Sequence, residues 1–176
     1  ASNTAGSGTG CSDVTVTNSG SVLGGTGTVA GQVFINTNCA LLAGDGAAPN
    51  GTLTVGNNML LNGGPEGAAI RLVLGASTHS TLNRGGGNWN FSQTQRFTII
   101  SVGAKPGLYK AVITGLASNP GTGLWRITNA GYAGTFSFDG LGSIDLNLTA
   151  VAPPLAIASV SELSNSHFVL SGRGVP

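Results

Sequence analysis

Over the first 64 residues, apolar and polar positions alternate in short runs that return at a nearly fixed interval. Val14-Thr15-Val16, Val33-Phe34-Ile35 and Leu53-Thr54-Val55 each open a block made of a short strand, a polar Asn or Gly turn and a second short strand. The block starts lie 19 and then 20 positions apart, at the short end of the spacings that mark solenoid arrays. Inside each strand the period is two, as expected when one face is buried and the other is not. The pattern predicts an all-β chain whose residues 1–64 coil as a β-solenoid, each turn pairing its backbone with the last. If the whole chain coiled at about 19.5 residues per turn, there would be about nine turns and a rise near 43 Å at the spacing of paired strands. Asn and Gly at the corners would supply the positive φ of tight bends.

The pattern changes from residue 65. Eight of the ten aromatic residues fall between Trp89 and Phe138, and strand-like runs continue at 70–74, 96–102, 108–114, 124–128, 134–138 and 143–151. Residues 65–151 are therefore expected to form a thicker β continuation, as wider turns or a sandwich-like cap, without a convincing helix. Ala152-Pro153-Pro154 reads as a linker. Residues 155–176 carry two further strand-like runs, at 155–160 and 167–170, as an incomplete module or an inter-subunit strand.

Composition narrows the classes. Only 7% of the 176 residues are charged, mean hydropathy is +0.24 and glycine occurs 30 times. Low charge with this hydropathy argues against disorder, and the glycines lack the three-residue period of collagen. No apolar run is long enough for a membrane helix. A net charge of +1 and the lack of a basic run leave nothing to hold a phosphate backbone, so nucleic acid is not an expected partner. The start shows no charged segment followed by an apolar core. A mature secreted chain, or a piece of a longer one, is expected.

Val29-Ala-Gly-Gln-Val-Phe-Ile-Asn36, Leu41-Leu-Ala-Gly-Asp-Gly46 and Gly51-Thr-Leu-Thr-Val-Gly-Asn-Asn-Met-Leu-Leu61, with Gly24-Gly-Thr-Gly-Thr-Val29 upstream, carry a family likeness. They resemble the autotransporter-associated β-strand repeat of large bacterial surface and secreted proteins. The resemblance is close over residues 6–64 and loose to Val151. It implies a right-handed β-helical passenger or fibre segment, extracellular or on the cell surface, with no catalytic residues of its own. The tail after Pro154 resembles the start of an immunoglobulin-like module.

Candidate chemistry is sparse. Gly25-Thr-Gly27-Thr-Val-Ala30, with Asp45 further on, matches a dinucleotide fingerprint, but that motif needs a helix and a strand follows it. Cys11 and Cys39 are the only cysteines; a disulfide between them is a natural expectation outside the cell. Solenoid register sets Cys39 level with Gly20 and Cys11 level with Ala30, so pairing needs the glycine-rich 6–10 segment to bend back. His79 beside Ser80 is no catalytic pair by adjacency. Asp13, Asp45, Glu66, Asp139, Asp145 and Glu162 are scattered, whereas β-helical polysaccharide-degrading enzymes need converging carboxylates. Gly44-Asp45-Gly46 and Asp139-Gly140 read as turns, not calcium repeats. No catalytic, cofactor or metal residue is assigned. Asn88, Trp89, Asn90 and Trp125 could present rings and amides to a glycan, against the plainer reading that both tryptophans pack in a core.

Charge divides along the chain: residues 1–70 hold three acids and no Lys or Arg, and residues 71–176 hold all seven basic residues and three acids. Solenoid ends expose unpaired strands, so head-to-tail contact between copies, or between flanking modules of a longer chain, is expected. The reading is a non-enzymatic stalk or fibre subunit. A glycan-binding adhesin is the alternative, and a β-helical polysaccharide-degrading enzyme comes third.

Overall fold

The computed structural model of the chain describes residues 8–64, 66–151, 156–163 and 167–173. Three strands make one coil. The first holds β1 (Val14–Val16), β2 (Val22–Gly25) and β3 (Gly27–Val29); the second holds β4 (Val33–Ile35), β5 (Ala40–Ala43) and β6 (Thr52–Val55). The third holds β7 (Met59–Leu61), β8 (Ala69–Leu74) and β9 (Thr81–Arg84), and the fourth β10 (Trp89–Asn90), β11 (Arg96–Ser101) and β12 (Gly107–Thr114). Corresponding strands pair in parallel to give three sheets, here faces A, B and C. The architecture is the expected β-solenoid, with about four turns.

Two features of the sequence reading change. The coils are not of constant length: Val33 pairs with Val14, Met59 with Val33 and Trp89 with Met59. The third block, placed at Leu53, belongs instead to face C, where Leu53 pairs with Gly27. The coil lengthens because the bend from β5 to β6 takes in residues 44–51, held by Asp45. The chain therefore makes four wide coils rather than nine narrow ones, and the rise over three intercoil steps is about 14 Å at a strand spacing near 4.8 Å. Parallel coiling also continues past residue 64 through β12.

Alternation explains the core. On face A the inward column is Val14, Val33, Met59 and Trp89; on face B it is Leu23, Leu41, Ile70 and Phe97; on face C it is Gly27, Leu53, Leu82 and Ile113. Val33, Leu41, Leu53, Ile70, Leu82, Phe97 and Ile113 are all fully buried. Val14, Val16 and Leu23 of the first coil are only partly buried, since no coil lies below them among the described residues. Buried Ser80 and Gln95 are satisfied: Ser80 Oγ accepts Val73 N–H at 2.9 Å and Gln95 Nε2 donates to Ala68 O at 2.9 Å.

The bend from face C to face A is close-packed. Gly31 lies so close to the coil below that a Cβ there would sit 2.0 Å from Ser12 O. Directly after this bend stands a side-chain ladder. Gln32 Nε2 donates to Asp13 Oδ2 at 3.1 Å, Asn58 Nδ2 donates to Gln32 Oε1 at 3.0 Å, and Asn88 N–H donates to Asn58 Oδ1 at 2.8 Å. On face C, Asn83 donates to Thr54 Oγ1 at 3.2 Å and accepts from Thr114 Oγ1 at 2.8 Å. The expected positive φ appears at the first A-to-B bends, at Gly20 (84°) and Asn38 (61°).

Past the fourth coil the parallel pattern continues only on face B. A 3-10 turn (Thr122–Leu124) leads to β13 (Arg126–Ile127), which adds in parallel to β11 on face B. Then β14 (Ala133–Phe138) and β15 (Ile144–Ala150) pair antiparallel, and β15 pairs antiparallel with β12. Phe97, Trp125 and Phe136 pack under this cap, with Phe97 and Phe136 stacked at 4.0 Å between centroids. The linker at 152–154 lies outside the described residues. β16 (Ala156–Leu163) and β17 (His167–Arg173) pair as an antiparallel hairpin.

Gly31→Ala should destabilise the chain by about 1–3 kcal/mol through this overpacking. Gly123→Ala, where a Cβ meets nothing within 4 Å, should stay within about 0.5 kcal/mol of the parent. Urea unfolding of both variants checks the contrast; equal midpoints would show that the bend is not close-packed.

Candidate functional site

A recess lies where face A ends. After β12 the chain passes over face A without adding a strand and next pairs on face B, so β10 is the last strand of its sheet. The result is a cleft of about 320 Å³ between β10 and the 116–120 segment. Asn88, Trp89, Asn90 and Phe91 line one side, Leu116 and Pro120 the other, and Arg84 the corner. A second hollow, lined by Gln32, Phe34, Asn58 and Leu60, meets the first at Asn88 and Asn90.

Strand alternation sets each side chain here. Trp89 continues the inward column of Met59, so its ring roofs the core and is half-buried, and its Nε1 donates to Asn57 O at 3.3 Å. Asn90 continues the outward line of Phe34 and Leu60 and is exposed. Arg84 stands where Val29 and Val55 stand on lower coils. Its guanidinium donates from Nε and Nη2 to Gly87 O and from Nη1 to Gly115 O, the last at 2.9 Å. Those bonds tie the corners of successive coils together.

Trp125, grouped with Trp89 as a glycan contact, lies elsewhere. It is 6% exposed and touches Phe91, Phe97 and Phe136, so it cannot offer a ring face to a sugar. Asn88, Trp89 and Asn90 do share the cleft. Phe91, next in the same run, lies there too, while Arg84 and the 116–120 segment complete the cleft without being expected. Arg84 had a signal in the sequence, a charge in the register of buried valines, but only once the coil lengths are known.

In this structure both thiols are free. Cys11 is exposed, while Cys39 is buried against the interior and its Sγ donates to Asn18 O at 3.1 Å. Cys39 lies level with Ser21, because Ala40 pairs with Val22, one position from the expected Gly20. Its side chain packs in the core. The Gly25–Ala30 motif is strand, with Gly25 closing β2 and Gly27 opening β3. His79 Nδ1 meets the carbonyl of Ser80, not its hydroxyl, at 3.0 Å. Among the described residues no three His, Cys, Asp or Glu side chains converge.

Five of the acids are each engaged. Asp13 accepts from Gln32, and Asp145 accepts Ala111 N–H at 2.7 Å. Glu66 lies 3.6 Å from Arg96. Asp139 accepts Ser143 N–H at 2.9 Å and Leu141 N–H at 2.7 Å, closing the β14–β15 turn. Those donors, Ser143 foremost, hold its carboxyl below the ordinary aspartate range. The N–H groups of Ala47 and then Ala48 do the same for Asp45.

A folded-state pKa below the unfolded one stabilises above the unfolded value, and that stabilisation is lost as pH falls through the folded one. Asp45→Asn and Asp139→Asn should therefore flatten the acid side of the stability profile below the usual carboxylate range, leaving its shape near pH 7 unchanged; an identical acid limb would contradict the turn roles. For the thiols, Cys11 should react with a thiol reagent in the native protein and Cys39 only on unfolding. Loss of both thiols in native secreted material, restored by reductant, would contradict the free state.

Comparison of the chain with protein families, with curated proteins and with solved structures finds no match.

Proposed function

We propose that the chain is a non-enzymatic structural segment, a β-solenoid stalk or fibre subunit that works outside the cell or at its surface. The observation that carries this reading is the use of the acids. Asp13, Asp45, Glu66, Asp139 and Asp145 are each held by a bend, a bulge, a corner ladder or an ion pair, which leaves none of these five poised over a cleft for general acid or base work. The core is filled, and the polar residues at the corners hydrogen-bond one coil to the next. Such a body resists extension and proteolysis through its backbone ladder and performs no chemistry. The likeness of residues 6–64 to repeats of bacterial surface proteins supports the location. Four coils rise too little to make a stalk alone, so this segment would contribute length as one unit among several.

Asp145 gives the sharpest test. Its carboxylate caps Ala111 N–H at a bulge in β12, where Ala111 holds a φ of 59°. Asp145→Ala leaves that donor unpaired and should cost about 1–3 kcal/mol. Catalytic groups commonly show the reverse, a gain in stability on removal. Thermal unfolding of Asp145→Ala and Asp13→Ala should show both less stable than the parent; a more stable variant would speak for an active-site carboxylate. Antibody labelling of intact expressing cells checks location, and label confined to permeabilised cells would contradict it.

A further inference from the structure

Among the described residues, sheet A has two unpaired edges, and they match. In a parallel ladder, alternate residues direct both N–H and C=O to the same side. Val14 N–H donates to Gln32 O at 2.8 Å, and Asn36 N–H donates to Val16 O at 3.0 Å. Val14 and Val16 thus face the second coil, and the backbone groups of Thr15 face outward. At the other end, Met59 N–H donates to Asn88 O at 2.9 Å, so the alternation points the N–H and C=O of Trp89 into the cleft. No backbone bond from the 116–120 segment reaches them.

The four rungs of the sheet also define what a fifth must be. They read Asp13-Val-Thr-Val16, Gln32-Val-Phe-Ile35, Asn58-Met-Leu-Leu61 and Asn88-Trp-Asn-Phe91: an acid or amide, an inward apolar residue, an outward residue and a second inward apolar residue. The inward residues of β1 are partly exposed, and so are those at the cleft, Trp89 and Phe91.

We propose that the cleft takes the β1 edge of a second copy as the fifth rung of face A. In the parallel register of the other rungs, Thr15 N–H of one copy would donate to Trp89 C=O of another and Trp89 N–H to Asp13 C=O, and Val14 and Val16 would cover Trp89 and Phe91. Asp13 would extend the corner ladder, receiving the side-chain amide of Asn88 beside the cationic Arg84. The charge is complementary: Asp13 and Asp45 lie on the first two coils, and Arg71, Arg84, Arg96, Lys105, Lys110 and Arg126 lie beyond them. The joint is confined to face A, since β15 and β14 already occupy the next rungs on face C. This rests on the structural-segment reading and names its partner, and the contact is heterologous and open-ended.

The test is sedimentation velocity of the full chain over a concentration series, for the parent and for Thr15→Pro. Proline removes the outward N–H while leaving the bonds of Val14 and Val16 to the second coil. Concentration-dependent growth that Thr15→Pro weakens at least ten-fold, with an unchanged melting curve, is expected. A synthetic peptide of residues 12–18 should shift tryptophan emission and disperse the assemblies, and it decides alone if the variant does not fold. A chain that stays single at every concentration overturns the joint, as do assembly indifferent to both Thr15→Pro and the peptide, or a shift in emission caused by neutral oligosaccharides and not by the peptide. Loss of the joint with Asp145→Ala still destabilising would leave the structural reading standing.

Discussion

Everything in this molecule hangs from the backbone bonds between one coil and the next. A chain with 7% charged residues and only a three-residue 3-10 turn as helix among the described residues has few other ways to join distant segments. Each rung satisfies polar backbone groups that would be costly to bury unpaired. The rungs in turn force inward side chains into columns, so Val33 must sit over Val14 and Met59 over Val33. Glycine content follows from the same constraint, because a bend that returns the chain 4.8 Å above itself leaves no space for a Cβ at Gly31.

The corner ladder is a second consequence. Asp13, Gln32, Asn58 and Asn88 occupy equivalent places after the C-to-A bend, where identical geometry recurs at each coil. Amides suit that place because each offers a donor to one neighbour and an acceptor to the other. The ladder ends in an acid at one end and an amide with spare donor capacity at the other. That asymmetry, with the bare edges of β1 and β10, gives the solenoid a direction. The antiparallel β14–β15 cap then closes face C and limits contact at that end to face A.

Solenoid class was legible because Val14 and Val33 begin runs of period two that differ little in length. Coil size was not legible. Leu53-Thr-Val repeats the same local pattern as Val33-Phe-Ile, yet it lies on another face, since all three faces use the same apolar alternation. Only bend lengths tell the faces apart, and these vary with inserts such as 44–51. Asn88, Trp89 and Asn90 were visible as an unusual cluster. Their cleft was not, because it arises from a strand that face A lacks, and a missing strand leaves no residues to read. Trp125 shows the limit of composition: exposed platform and buried cap use the same side chain, and only the packing of Phe91, Phe97 and Phe136 decides between them.

Backbone hydrogen exchange, read residue by residue on the dilute chain, tests the central claim most directly, namely that parallel rungs carry the fold and that face A is bare at both edges. The account predicts slow exchange at Val33 and Met59, whose N–H groups are paired to the next coil, and fast exchange at Thr15 and Trp89. Protection at Trp89 in the single chain would mean that the edge is already filled. Rapid exchange at Val33 and Met59 would contradict the stacked coils themselves.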